Sequence, residues 1–193
     1  MSERIFIIHG WGGNPEEGWF PWLKRELEAR GFQVFVPQLP DPENPRILNW
    51  VRKLAETVGT PDEQTYFVGH SLGCQTIARY LESLPENIKV GGVIFVAGFF
   101  KRLNGLGDNQ ETNDIANYWL NTPLDFLNIK NHFNKSVAIF SDNDPIVPLD
   151  NRDDFRDKLS SKIIVEHAKG HFAPDDGIIE LPSALQSILE ITQ

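Results

Sequence analysis

The chain has 193 residues, 40% hydrophobic and 23% charged, a balance that suits one compact globular domain and excludes a disordered chain. Lys plus Arg number 18 against 27 Asp plus Glu, a net charge of −9, which argues against a phosphate-backbone partner, so no nucleic acid is expected. No apolar run approaches the roughly 18–20 residues of a membrane helix, so no membrane partner is expected either. The one cysteine, Cys74, rules out an intrachain disulfide and, with no export signal in view, points to the cytoplasm.

Short β-branched, apolar runs recur along the chain at Arg4–Ile8, Gln33–Val36, Thr65–Val68, Gly92–Ala97, Ser136–Phe140 and Lys162–Glu166. Runs of this kind suit strands buried on both faces of a parallel sheet. Helical spacing fills the intervals. It runs through Trp19, Trp22, Leu23 and Leu27, then Ile47, Trp50, Val51, Leu54 and Val58, then Leu72, Thr76, Ala78, Leu81 and Leu84. Phe155 and Leu159 mark a further helix, and Leu181, Leu185, Ile188 and Leu189 the last. Gly31, Gly59 and Gly91 fall where helices are expected to stop. This alternation predicts an α/β fold: six parallel strands joined by right-handed crossovers, with helices on both faces. Residues 101–133 break the rhythm. They read as a short excursion over the carboxyl edge of the sheet, within a single domain spanning 1–193.

Gly69-His70-Ser71-Leu72-Gly73 follows the third strand and opens a helix, the context in which G-x-S-x-G places a serine hydroxyl at a sheet edge. A serine hydroxyl is too weakly acidic to attack unaided, so an acid and a histidine are expected downstream. Gly170-His171-Phe172 follows the sixth strand and offers His171 as the base. Ser141-Asp142-Asn143-Asp144-Pro145 follows the fifth and offers Asp144 as the acid, with Asp142 the competitor. All three candidates lie at carboxyl ends of strands, where open α/β sheets bind ligands.

His9-Gly10-Trp11-Gly12-Gly13 follows the first strand and is expected to turn the Trp11 N–H toward an oxyanion. The N–H of Leu72 is the second expected donor. Trp19, Phe20 and Trp119 are candidates for an aromatic acyl pocket, which predicts a preference for short acyl chains. Trp22 and Trp50 read as packing residues, as does Cys74. His70 is expected to pack beside the sheet and His132 to lie on the surface. The His167-x-x-x-His171 spacing does not make a zinc pair, because Gly170 opposes a helix there and no third ligand follows. No cofactor and no metal are expected.

These motifs, in this order, resemble the α/β-hydrolase fold. The likeness is closer to its small branch typified by retinoblastoma-binding protein nine and the YdeN-type hydrolases. It runs through Gly18-Trp19-Phe20-Pro21-Trp22-Leu23-Lys24, Leu39-Pro40-Asp41-Pro42, Gly69–Gly73, Tyr118–Lys130, Asp142–Pro148 and Gly170-His171-Phe172. The resemblance implies a serine hydrolase with no large lid domain and no cofactor, acting on small esters or related acyl groups through Ser71, Asp144 and His171. One departure is His9-Gly10-Trp11, closer to the oxyanion signature of the wider fold than to the glycine-rich version of this branch. Two other readings remain open from the residues: a protein-binding module on the same scaffold, and a peptidase or thioesterase using the same triad.

Overall fold

The computed structural model describes residues 3–193 and forms one six-stranded sheet. Its strands are β1 (Arg4–Ile8), β2 (Gln33–Phe35), β3 (Thr65–His70), β4 (Gly92–Val96), β5 (Ser136–Ser141) and β6 (Lys162–Glu166). Their order is β2-β1-β3-β4-β5-β6, and every neighbouring pair is parallel. Each expected strand is present, but two are not buried on both faces. Gln33 and Phe35 of β2, and Lys162 and Val165 of β6, are exposed, because these strands form the two edges of the sheet. The strand order reverses between β1 and β3, so the carboxyl ends of those two strands border a crevice.

Side chains of the inner strands alternate between two apolar layers. Phe6, Phe67, Phe95 and Phe140 point into one, and Ile7, Val68, Ile94 and Ile139 into the other. Helices α1 (Phe20–Glu28) and α7 (Pro182–Ile191) cover the second layer. The first is covered by α2 (Ile47–Val58), α3 (Leu72–Glu82), α4 (Gln110–Asn121), α5 (Phe126–Asn131) and α6 (Asn151–Leu159). Leu23 and Leu27 of the expected stripe are buried on α1, with Phe20 beside them in place of half-buried Trp22, and Trp50, Leu54 and Val58 are buried on α2. Helix α3 is buried from Leu72 through Leu81, so the residues beside Ser71 are held on all sides.

Gly59 ends α2 at φ 68°, and Gly31, at φ 93°, lies just beyond α1. Gly91 ends no helix. Helix α3 stops at Ser83, and Gly91 lies flush against the Tyr66 ring, leaving no room for a Cβ. The excursion at 101–133 is a loop followed by α4 and α5, each with a polar cap. Asn109 accepts from the Thr112 amide, and Asp125 from the amides of Leu127 and Asn128. Arg79 of α3 donates through Nη2 to the carbonyls of Trp119 and Thr122, at 2.8 and 2.9 Å. A cation at the carbonyl end of α4 is well placed against the helix dipole, and it fastens the excursion to α3. His132 is not a surface residue: it is fully buried, bonded to the Ile88 carbonyl and the Asn128 amide oxygen. One ring nitrogen is thus engaged from within α5 and the other by a carbonyl of the distant segment before β4. No helix among the described residues is long and apolar enough to cross a membrane.

Candidate active site

Ser71 sits between β3 and α3 at φ 52° and ψ −119°, a conformation that costs a non-glycine residue of order 1–3 kcal/mol. The surroundings impose it. The Ser71 amide donates to the Val96 carbonyl at 2.9 Å, and its carbonyl accepts from the Cys74 amide at 3.0 Å. The flanking glycines are steric requirements. A Cβ on Gly69 would come within 2.9 Å of the Cys74 nitrogen, and one on Gly73 would collide with the carbonyl oxygens of Ile8 and His9. Cys74 packs in the core, and its thiol donates to the Gly69 carbonyl. Burial pushes the thiol far up from its ordinary value, which makes it inert.

Three side chains from distant strand ends meet here. The Ser71 Oγ lies 2.9 Å from Nε2 of His171, and Nδ1 of His171 lies 2.8 Å from Oδ2 of Asp144. A carboxylate only accepts, so Nδ1 carries the proton and Nε2 is free to accept from the hydroxyl. Asp144 is almost fully buried, and its Oδ1 accepts from the amides of Ile146 and Val147 at 2.8 and 2.9 Å. Asp142, the competitor, is directed elsewhere. Its Oδ2 pairs with Nδ1 of the exposed His167 at 2.7 Å, and its Oδ1 accepts from the Ala168 amide. His167 therefore makes a hydrogen bond at the surface, away from Ser71.

His70 packs beneath the site against Trp19, Phe20 and the His171 ring. Burial pushes its imidazole down to about 3, with the neighbouring His171 contributing in the same direction, so the ring is neutral. Its Nε2 donates to the His171 carbonyl at 2.8 Å, holding the backbone of that residue. His9 is equally buried, and burial lowers its pKa. Its Nε2 accepts from the Leu39 amide at 3.0 Å, so Nδ1 donates to the Gly10 carbonyl at 2.8 Å. That bond orients the Gly10–Trp11 peptide. Gly10 lies directly against Ser71: a Cβ there would stand 3.0 Å from the serine Cβ. The Leu72 amide heads α3, where the first N–H groups have no intrahelical acceptor.

Two cavities open on Ser71 and His171, sharing Trp11 and Ile146 as common walls. The larger, about 580 Å³, is lined by Leu72, Phe99, Leu103, Leu106 and Ile115 beside polar residues of the excursion. The other, about 460 Å³, is formed by Gly10–Gly13, Glu17, His70 and residues 173–175. Glu43, Glu111, Glu17 and Asp175 face these spaces, and no Lys or Arg lines either.

Three expected pocket residues are not in the lining. Trp19 and Phe20 are buried under the sheet edge, with the Trp19 indole donating to the Phe172 carbonyl. Trp119 is buried against Trp50 and donates to the Pro45 carbonyl. Their bulk, and the indole donors of the two tryptophans, suit them to supporting loops from below, and the apolar part of the lining comes from aliphatic residues with Trp11 and Phe99. Of these, Leu103, Leu106 and Ile115 lie in the excursion and carry no periodic or motif signal. Asp176, another unforeseen contributor, accepts from the amides of His171 and Ala173 at 2.8 and 3.0 Å.

A doubly covered parallel sheet, with a serine–imidazole–carboxylate chain at its carboxyl edge, defines an α/β-hydrolase fold. The chain belongs to the serine hydrolase family, whose model matches residues 5–190. It is 34% identical over 182 residues to YdeN of Bacillus subtilis (strain 168), covering 94% of this chain and 92% of that protein. The serine hydrolase RBBP9 of Rattus norvegicus is 29% identical over 172 residues, 88% of this chain and 87% of its own. The crystal structure of the B. subtilis ydeN gene product superposes with a TM-score of 0.90 at 31% identity, covering 99% of both chains. Est1E from Butyrivibrio proteoclasticus shares the fold, with a TM-score of 0.74 at 13% identity over 99% of this chain and 88% of its own.

Proposed function

We propose that this serine hydrolase is a carboxylic-ester hydrolase for small, uncharged or cationic esters, with Ser71, His171 and Asp144 as its triad. The observation that carries the reading is the unbroken hydrogen-bond chain from Ser71 through His171 to buried Asp144, facing open cavities. Nε2 of His171 takes the hydroxyl proton as Oγ of Ser71 attacks the acyl carbon. Asp144 holds the productive tautomer and stabilises the imidazolium. The backbone amides of Leu72 and Trp11 receive the oxyanion, a donor of this kind contributing about 2.7–4 kcal/mol to barrier lowering. His171 then returns the proton to the leaving alcohol, and water repeats the cycle to free the acid. No protein partner and no cofactor enters any step.

Substrate class follows from the lining. Carboxylates without basic partners disfavour an anionic ester, while the aliphatic wall of the larger cavity suits a small apolar acyl group. The test is a panel of p-nitrophenyl esters from acetate to decanoate, with an anionic hemisuccinate ester, a thioester and an aminoacyl amide beside them. Fastest turnover on short neutral esters is expected, together with fluorophosphonate labelling at Ser71. Absent labelling of the folded protein would sink the reading. Faster turnover of the amide or thioester would move it to another acyl-transfer class.

A further inference from the structure

We infer that Asn143 is a positioning residue for His171, the centre of a polar clamp that holds the loop carrying the base. The inference rests on the hydrolase reading for its kinetic consequence and on geometry for its substance. Four consecutive side chains, from the last residue of β5 onward, engage four consecutive residues after β6. Asp142 Oδ1 accepts from the Ala168 amide, Ser141 Oγ from the Lys169 amide, and Asn143 Oδ1 from the Gly170 amide, each at 2.9 Å. Asp144 Oδ2 then meets Nδ1 of His171 at 2.8 Å.

The bonds form a chain with one consistent direction. Ser141 accepts from Lys169 and donates its own proton to Asn143 Oδ1 at 2.8 Å. Asn143 Oδ1 thus takes two donors, one from each loop. Both lone pairs of that oxygen are used, so the residue needs an acceptor at this position.

The clamped segment is one that does not hold its shape unaided. Ala168, Gly170 and Phe172 all have positive φ, at 54°, 56° and 56°, and two of them are not glycine. Gly170 has no alternative: a Cβ there would collide with the Asp176 carboxylate. The carboxylate of Asp176 in turn holds the His171 amide. Asn143 itself is exposed and lines neither cavity. It touches no reacting atom and acts only through the Gly170 peptide next to His171.

The test compares Asn143→Ala with Asn143→Asp, which keeps an acceptor oxygen in the same place. Asn143→Ala is expected to lower kcat on p-nitrophenyl acetate by about tenfold to a hundredfold, the scale of a small displacement of a catalytic group, with KM little changed. Asn143→Asp should retain most of the activity. In proton NMR the downfield Nδ1–H signal of His171 should persist in the wild type and Asn143→Asp and be lost in Asn143→Ala. Wild-type kcat in Asn143→Ala overturns the inference, as does equal loss in both variants. Should the wild type hydrolyse no ester, the hydrolase reading fails, and the His171 signal alone decides this one: its retention in Asn143→Ala overturns it.

Discussion

The turn at Ser71 and the loop at His171 reach unfavourable backbone geometry by opposite means. Both contain positive φ at non-glycine residues, Ser71 in one and Ala168 and Phe172 in the other. At Ser71 the constraint is backbone against backbone, with Gly73 pressed on the carbonyls of β1 and Gly69 on the start of α3. At His171 it is side chain against backbone, with Ser141, Asp142, Asn143 and Asp176 each capturing an amide. The first kind has no adjustable part. The second has several, each replaceable by mutation, so the histidine loop is where tuning of this site is expected.

The comparison can be broken or sharpened by substitution. Ser71→Ala has the largest expected effect: ester hydrolysis should fall by about 10⁶-fold, the scale seen when a triad nucleophile is removed, with an unchanged thermal midpoint. A variant retaining measurable burst kinetics would show another nucleophile at work. Gly73→Ala comes next. It should destabilise the fold by about 3 kcal/mol or more by overpacking against an immovable strand, read from the urea midpoint. Gly170→Ala should also destabilise, but its clash is with a side chain. Asp176→Ala in the same chain is therefore expected to offset part of the loss, a coupling on the order of 1 kcal/mol in a double-mutant cycle. Strict additivity would erase the contrast between the two loops.

A smaller effect is expected from acid. The His70 imidazole is held near 3, against 6.5 for a free side chain. Above pH 6.5 the folded and unfolded chains are alike at this residue. Below it the unfolded chain takes up a proton that the folded chain refuses, so stability falls as pH drops from 6.5 toward 3. His9, also held low by burial, acts in the same sense. His70→Gln keeps a donor for the His171 carbonyl and removes one of the two titrations. Its thermal midpoint should fall less steeply than the wild type's between pH 7 and pH 4. Parallel slopes would show that His70 is not the sensitive group. Least of all, His167→Ala should leave the thermal midpoint nearly unchanged, because its contact is solvent-exposed and Asp142 keeps its bond to the Ala168 amide.

The apolar runs carried the strands, since four to six residues that are apolar nearly throughout and rich in β-branched side chains suit burial on both faces of a sheet. Their burial failed only at β2 and β6, because the order of strands, and hence which ones are edges, is not written in any single run. The Gly-x-Ser-x-Gly spacing carried the tight turn at Ser71, the proposed nucleophile, because its steric demands are local. His171 and Asp144 were legible from order along the chain. The sequence favours Asp144 over Asp142, and in space Asp142 turns to His167 and Ala168. Trp19, Phe20 and Trp119 misled because large aromatics near a site serve equally as walls or as foundations. His132 misled because its carbonyl partner, Ile88, lies on a distant segment whose contact no spacing announces.

What the sequence by itself determined is the set of features enforced within a few residues: alternating strands and helices, the tight turn at Ser71, and the order serine, aspartate, histidine. What only the tertiary structure decided is everything that depends on two distant segments meeting. That includes the edge strands, the aliphatic lining drawn from residues 99–115, and the clamp by which residues 141–144 hold 168–171. Steric limits act through neighbouring covalent bonds and so leave a local pattern. Hydrogen bonds between loops need only one acceptor at the right place in space, and any of several polar residues, anywhere along the chain, supplies it.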